Sequence, residues 1–484
     1  VPKFHAPVAP PDQPLWQRIA FRYLLCHWVL YALPGLLVDL HEAIAAAWRH
    51  HAADGAVPEW FTIAGSALQA PDRWCCAVTA WIGQQSWSPI AVVPREATGM
   101  FDTSHAWMRL FCIVVFAAVL AVAWSMLDRG KRPLLGRWLH LGARWWVGLV
   151  LFGAGTAKLY TWQTQGLSFS QLNAVTGQQT TLELAQTFFS ASPLYLLFGG
   201  ALEVLGGVLL LHHRTALLGA FVSAVVLTNI LALNLFYDMP SKLYAAHLLL
   251  ASILVLAPWS SRLWAVLVSN RFSESIDVGI TRSKVLAPLL VGFGLAWLSV
   301  DSYALHLQHR SPREATAQPQ PSHAGIWDVV EMAPIAAEPT AEPAAGAPTA
   351  PAPEPIPFRL QWRTFVVDRD GKATVQTADG EQLQFTLAQN ADATEITLQP
   401  VGEGKAEAPA DPKTAVVFQV TRTAEARHGS GQGPAGQVAE SVGVETLVLR
   451  GDWQGRRCLI KAHLRARTLE VRFDWVQDAL PEHR

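Results

Sequence analysis

The sequence predicts an α-helical polytopic membrane bundle of about seven transmembrane helices, followed by a small antiparallel β domain. Three observations predict it. Apolar runs of about twenty residues, the length that crosses a hydrocarbon core, recur between residues 18 and 300 and are separated by short joints, several of them rich in Arg and Lys. Beyond residue 325 the pattern changes to short runs that alternate apolar and polar residues, the signature of half-buried strands. The composition, 51% apolar and 15% charged with 20 Trp, belongs to the membrane class, where indole rings gather at the interfaces.

Residues 1–17 are rich in proline and are expected to be disordered. A first helix is expected over 18–38, with Arg18 and Arg22 marking its start and Pro34 bending its end. No cleavable signal-peptide pattern accompanies it, so it reads as a retained helix. Residues 39–107 read as a long connection, too polar and too broken by proline and glycine to span a bilayer. Trp60, Phe61, Trp74, Trp81 and Trp87 are then placed along the membrane surface. A second helix is expected over 108–127.

The joint DRGKRPLLGRWLH, with Arg129, Lys131, Arg132 and Arg137, is of the kind retained in the cytoplasm and fixes the orientation. The core, 141–258, then holds four helices. The third (141–160) runs outward. The fourth (194–211) returns and ends at His212, His213 and Arg214. The fifth (215–236) runs outward, and the sixth (243–257) returns. After Arg262, Arg271, Arg282 and Lys284 a seventh helix (285–300) exits, and Trp264 to Val268 is a further half-buried segment, re-entrant or interfacial. The basic joints agree on an inner-membrane protein with its N-terminus in the cytoplasm and its C-terminal domain outside.

A linker (301–324) leads to an extracytoplasmic β-rich domain (325–484) carrying an Ala/Pro-rich insert (333–357). GIWDVVEM, at Gly325 to Met332, reads as an isolated strand ahead of the insert. Eight alternating runs follow, from LQWRTFVVD to RTLEVRFDWV. Asp370-Gly371 and Asp379-Gly380 separate the first three of them, a strong hairpin signal. The domain is expected to be a meander closed into a barrel or sandwich.

Several function classes are excluded. A formal net charge of −1 without a basic stripe argues against nucleic acid. No metal-ligand spacing, P-loop, dinucleotide fingerprint or nucleophile elbow is present. The five cysteines form no disulfide framework. Cys26 and Cys112 read as small hydrophobes inside helices. A bond between the adjacent Cys75 and Cys76 would be strained, so that pair reads as inert.

The functional reading starts from polar residues inside apolar helices, because an ionisable group stranded in lipid costs about 2.5–3.5 kcal/mol even on the mildest scale. Glu203 lies about nine residues, or about 13 Å, into the fourth helix. Lys158 closes the third helix, and His247 lies about one turn into the sixth. These three form the predicted acid–base set, with Glu203 and Lys158 as a pair and His247 carrying protons. Asn229, Asn234, Tyr237, Asp238 and Lys242 are placed to touch a ligand in the same outer half. The plainer alternatives are a Glu203 bond that only locks the bundle, interhelical hydrogen bonds for the two asparagines, and headgroup snorkelling for Lys242. Arg144, at the other end of its helix, is expected only to snorkel. Glycines at 148, 153, 155, 199, 200, 206 and 207 permit close approach of the third and fourth helices.

Arg144, Gly155, Lys158-Leu159, Glu203, Gly206-Gly207 and the turn FYDMPSKLYAAHLLL resemble the DoxX-like family of bacterial inner-membrane proteins. The likeness is to its long members, in which two helices precede a four-helix core and an extracytoplasmic β domain follows. Asp102, within TGMFDTSHAW, matches that family's segment before a helix, and GIWDVVEM and FDWVQDALP resemble its β domain, although the tail departs from the family's aromatic ending. The resemblance implies a lipid-embedded protein whose relatives include a thiosulfate:quinone oxidoreductase subunit and proteins that assist redox enzymes. Together with a polar cluster at the depth of a quinone headgroup, it leads to the expectation of a quinone or similar lipid-soluble redox ligand and of a membrane or periplasmic redox protein as partner. A shorter likeness, through Lys158, Leu159, Trp162 and Gly166, is to vitamin K-dependent carboxylase-like membrane proteins and would make Lys158 the base. Two other readings stay open. One is a non-enzymatic scaffold whose β domain binds a protein or lipid, and the other is a proton-coupled transporter.

Overall fold

The computed structural model describes residues 14–51, 57–85, 102–128, 130, 133–161, 166–272, 292–294, 296–300, 302–306, 321–335, 354–401, 415–425 and 444–465. The chain divides into two compact units, one helical and one built on a barrel. Residues 166–180, although they fall between two helices of the first unit, belong to the second.

The helical unit contains α1 (Leu15–His51), α2 (Glu59–Gln84), α3 (Ser104–Leu127), α4 (Pro133–Thr161), α6 (Thr181–Ala191), α7 (Pro193–Leu211), α8 (Ala216–Phe236), α9 (Lys242–Leu256) and α10 (Ser260–Leu267). The short α5 (Phe169–Asn173) goes with the barrel. Among the described residues, four stretches are long and apolar enough to cross a membrane: Ser104–Leu127, Pro193–Leu211, Ala216–Phe236 and Lys242–Leu267. Of the seven spans expected, these match the second, fourth, fifth and sixth. Half of the seventh lies outside the described residues, and residues 292–294, 296–300 and 302–306 are helical.

The first correction concerns the expected connection at 39–107. α1 runs on to His51 with Pro34 inside it, and Glu59–Gln84 is a helix. The prolines that suggested a break are tolerated by position. Pro58 is the N-cap, where no helical N–H is needed, whereas Pro71 lies inside α2, which continues past it at the loss of one intrahelical hydrogen bond. Near it the Arg73 guanidinium donates to the Ser66 carbonyl (2.6 Å).

Arg22 corrects a second expectation, because it does more than mark a helix start. It is 2% exposed and donates to the carbonyls of Trp124 (2.8 Å) and Asp128 (2.7 Å), to Gly130 O (3.4 Å) and to the Asp128 carboxylate (3.4 Å). Trp124 O also accepts the Asp128 N–H, and Asp128 and Gly130 follow the last residue of α3, so the guanidinium caps the helix end.

α4 and α7 meet backbone to backbone. A Cβ on Gly155 would lie 2.5 Å from Gly200 O, and one on Gly207 2.6 Å from Gly148 O. Glycine is required at these crossings because any side chain would push the helices apart.

The second unit is a closed barrel of eight antiparallel strands, each paired with its sequence neighbours, β1 (Gly325–Pro334) closing on β8 (Arg456–Leu464). Between them lie β2 (Trp362–Val367), β3 (Lys372–Thr377), β4 (Gln382–Gln389), β5 (Glu395–Pro400), β6 (Val416–Glu425) and β7 (Val444–Trp453). GIWDVVEM is therefore the seam of the barrel, pairing with β2 and with β8 and shifting register between Val329 and Glu331. The expected ninth run, RTLEVRFDWV, lies wholly outside the described residues, which end at Arg465.

Eight strands leave an interior that side chains can fill. Trp327, Phe365, Phe418, Ile396, Leu398, Leu447, Leu449 and Ile460 fill it, all 0% exposed. The two Asp-Gly hairpins form as expected. Gly371 and Gly380 take φ of +82° and +95°, and their N–H groups donate to Asp368 O (3.2 Å) and Thr377 O (3.0 Å). A third tight turn, Gln454-Gly455, has both φ positive, at +49° and +78°.

Candidate functional site

The close crossing of α4 and α7 sets up the site. Gly200 has no side chain, and a Cβ there would lie 3.0 Å from Lys158 Cβ, so the lysine stem passes directly over it. The Lys158 ammonium then donates to Glu203 Oε1 in an ion pair. The Glu203 side chain is 3% exposed and that of Lys158 35% exposed, so the carboxylate is sealed while the lysine side chain is partly exposed. Glu203 Oε2 is buried and has no hydrogen-bond partner. One oxygen of a carboxylate inside the helical unit is therefore committed to the lysine and the other is vacant. A buried charged group left half-satisfied is costly, and such groups mark places where something else binds.

His247 is not joined to this pair by any hydrogen bond or ion pair among the described residues. It is buried against α1, stacked on Tyr31 with ring centroids 3.8 Å apart and planes 9° apart, with His27 at 5.5 Å and the edge of Trp28 at 5.9 Å. Its Nδ1 lies 2.7 Å from Leu243 O. A carbonyl only accepts, so Nδ1 carries the proton and Nε2 of the neutral ring holds the lone pair. His27 Nδ1 is buried without a partner. The sequence-predicted trio thus divides into a Lys158–Glu203 pair between α4 and α7 and a His247–Tyr31–His27 stack between α9 and α1.

The remaining predicted residues separate as well. Asn234 is buried, whereas Asn229, Tyr237 and Asp238 are exposed. Lys242 does not snorkel alone: its ammonium pairs with Asp238 (2.7 Å) and lies 4.0 Å from Asp102. Asp102 accepts from the backbone N–H groups of Lys242 (2.7 Å) and Leu243 (3.1 Å), capping α9 from a distant segment. Arg144 also departs from its expected role, being 5% exposed inside the unit. Residues that direct reading passed over are His27, Tyr31 and, as a cap, Asp102. For the first two the available signal was a histidine and a tyrosine four apart in an apolar helix.

The barrel unit has a polar site of its own. Asp368, 7% exposed, accepts from the N–H groups of Phe169 (2.6 Å) and Ser170 (3.2 Å) and from the Ser170 hydroxyl. Asn173 Nδ2 donates to Thr364 (3.3 Å), and its Oδ1 accepts from Arg465 (2.8 Å), which also pairs with Asp328. The barrel wall thus holds α5, whose first turn is closed by a Ser168–Gln171 capping box.

These features define a helical protein with four stretches fit to cross a membrane, a buried ion pair between two core helices, and a closed C-terminal barrel. Over 111 residues the chain is 34% identical to Uncharacterized protein YwoB of Bacillus subtilis (strain 168), a match covering 23% of this chain and 69% of YwoB. Over that stretch the chain belongs to the family of YwoB. No family profile matches it, and no solved structure matches it.

Proposed function

We propose that this is a DoxX-like inner-membrane protein that binds the polar headgroup of a lipid-soluble redox partner, a quinone or a molecule of that type, beside Lys158 and Glu203. In this reading seven helices span the membrane, the N-terminus is cytoplasmic and the barrel lies outside. The observation that carries the reading is the vacant, buried Glu203 Oε2 beside a lysine whose side chain is partly exposed. The Lys158 ammonium donates to a headgroup carbonyl, and Glu203 Oε2 accepts from, or delivers a proton to, a headgroup hydroxyl. The His247 Nε2 lone pair in its aromatic stack supplies a second proton-accepting position. Electrons come from a redox protein that the membrane partner serves.

The test is saturable quenching of the intrinsic tryptophan fluorescence of the purified full chain by a short-chain quinone. The wild type is expected to saturate and Glu203→Gln to lose affinity by about tenfold or more, the value of one charge-assisted hydrogen bond. No saturable quenching, or equal affinity in the variant, would overturn the reading.

A second reading is favoured by the grip of the barrel wall on α5. There the helices are an anchor and the barrel a binding module for a protein partner. Deleting Ser322 to Arg484 separates the two. Retained quinone binding with loss of partner capture supports the module alongside the site, and loss of neither removes it.

A further inference from the structure

We propose that Arg144 forms the floor of a second site, one that binds a phosphate-type oxyanion about 21 Å along α4 from Lys158, fourteen residues away at the helical rise. The proposal is independent of the quinone reading.

Arg144 is 5% exposed, its Nε is buried without a hydrogen-bond partner, and it forms no ion pair among the described residues. Arg22 shows what a sequestered guanidinium in the same unit looks like when the protein satisfies it. Equally buried, it has two carbonyls within 2.8 Å and a carboxylate at 3.4 Å. A guanidinium stays charged in proteins, so Arg144 cannot relieve its burial by losing a proton. A buried guanidinium with no ion pair and an unbonded Nε is unfavourable, and a bound anion removes that penalty.

The neighbours of Arg144 locate it. One turn earlier, the His140 ring nitrogen Nε2 is engaged by Val255 O (3.0 Å), and the ring packs on Trp259, at the end of α9. One turn later, a Cβ on Gly148 would lie 3.0 Å from Leu211 and 3.1 Å from Gly207 O, at the end of α7. Arg144 therefore sits on α4 where the C-terminal ends of two helices converge. Each such end carries about half a negative charge, which favours a cation and opposes an anion, so the guanidinium with its unbonded Nε must hold the oxyanion by itself. The chain leaves α7 through His212, His213 and Arg214, so one further guanidinium belongs to that joint. The planar fork of a guanidinium matches the oxygens of phosphate in a way that a point charge does not. The phosphate is that of a lipid headgroup or one free in solution.

The experiment uses the delipidated full chain in neutral detergent and follows its thermal unfolding against inorganic phosphate, phosphatidylglycerol and, as a phosphate-free lipid, diacylglycerol. A saturable rise in midpoint with inorganic phosphate identifies a free anion. A rise with phosphatidylglycerol alone identifies a headgroup. Either rise must be lost in Arg144→Gln and need about tenfold more ligand in Arg144→Lys, which keeps the charge but not the fork. No rise with either phosphate source, or a rise with diacylglycerol equal to that with phosphatidylglycerol, overturns the proposal. If Arg144→Gln does not fold, Arg144→Lys decides: ligand affinity equal to wild type overturns it.

Discussion

The helical unit and the barrel bury polar groups in opposite ways. In the barrel the orphaned buried atoms are neutral, His323 Nδ1 and Trp362 Nε1, and the buried carboxylate Asp368 is bonded through both oxygens. In the helical unit the orphans include atoms of ionic groups, Glu203 Oε2 and Arg144 Nε. The barrel is finished by its own side chains, with an interior of aromatic and aliphatic groups and no open strand edge. The helices are closely packed yet leave charged atoms waiting. What is unsatisfied in a folded chain is a better guide to where it binds than what is merely polar.

The largest test of this contrast is in the barrel. Phe365→Ala removes a ring that is 0% exposed and is expected to destabilise the barrel by about 3–5 kcal/mol. Leu218→Ala in α8, at a position 56% exposed, is expected to change stability by less than about 0.5 kcal/mol. Chemical denaturation of the full chain reads both. Equal effects would mean that the barrel interior is not the packed body described.

Next comes the ion pair. Lys158→Met leaves a sealed carboxylate without its cation and is expected to cost about 3 kcal/mol, toward the low end for a buried pair because the lysine is part-exposed. Lys158→Met combined with Glu203→Leu is expected to recover that stability while abolishing quinone binding. A double variant that is stable and still binds would return the pair to a purely structural role.

The sequence carried these two regions unequally. Strands with period-two alternation were readable because one face of each is buried, and the Asp-Gly turns because few sequences tolerate φ > 0. Closure into a barrel or sandwich was expected, but the strand that makes it was not: GIWDVVEM read as isolated, and the β1–β8 seam joins Trp327 to Leu464 across most of the domain. Gln454-Gly455 forms a different tight turn, with both φ positive, and does so without the stronger Asn or Asp signal. In the helices, Lys158 and Glu203 could be paired from depth and from glycines that bring their helices together. The partners of His247 could not, because Tyr31 and His27 are remote in sequence and stack without a charge pattern. α2 was hidden by Pro58 and Pro71, which read as breaks until their positions in the helix were known. Asp102 caps a helix 140 residues away, a contact with no local signature.

A smaller effect probes the barrel's hold on α5. Asp368→Ala removes the acceptor of two backbone N–H groups and a hydroxyl, at an expected cost of about 1–3 kcal/mol. The same change is expected to speed proteolysis between Gly166 and Thr180 while leaving the closed barrel resistant. An unchanged cleavage rate would show that this segment is held by other contacts.

The smallest expected effect is a pH dependence confined to the barrel. His323 is 3% exposed, its Nε2 donates to Ala393 O (3.0 Å), and its own carbonyl accepts from Trp327 Nε1 (2.8 Å). A proton added at Nδ1 would enter a sealed position without an acceptor. Burial, above all, holds the imidazole below its ordinary value of 6.5; the Ala393 bond works the other way, and the nearby Arg422 charge adds to the lowering. The unfolded chain therefore takes up this proton at a higher pH than the folded barrel does. Stability from His323 is present in full above about pH 6.5, falls as pH drops from there toward the lower folded value, and changes no further below it. His323→Gln, which keeps a donor for Ala393, is expected to flatten that part of the profile between about pH 7.5 and about pH 5. If wild type and variant lose stability in parallel over that interval, the neutral orphan in the barrel has no energetic weight, and the contrast with the charged orphans of the helices becomes sharper.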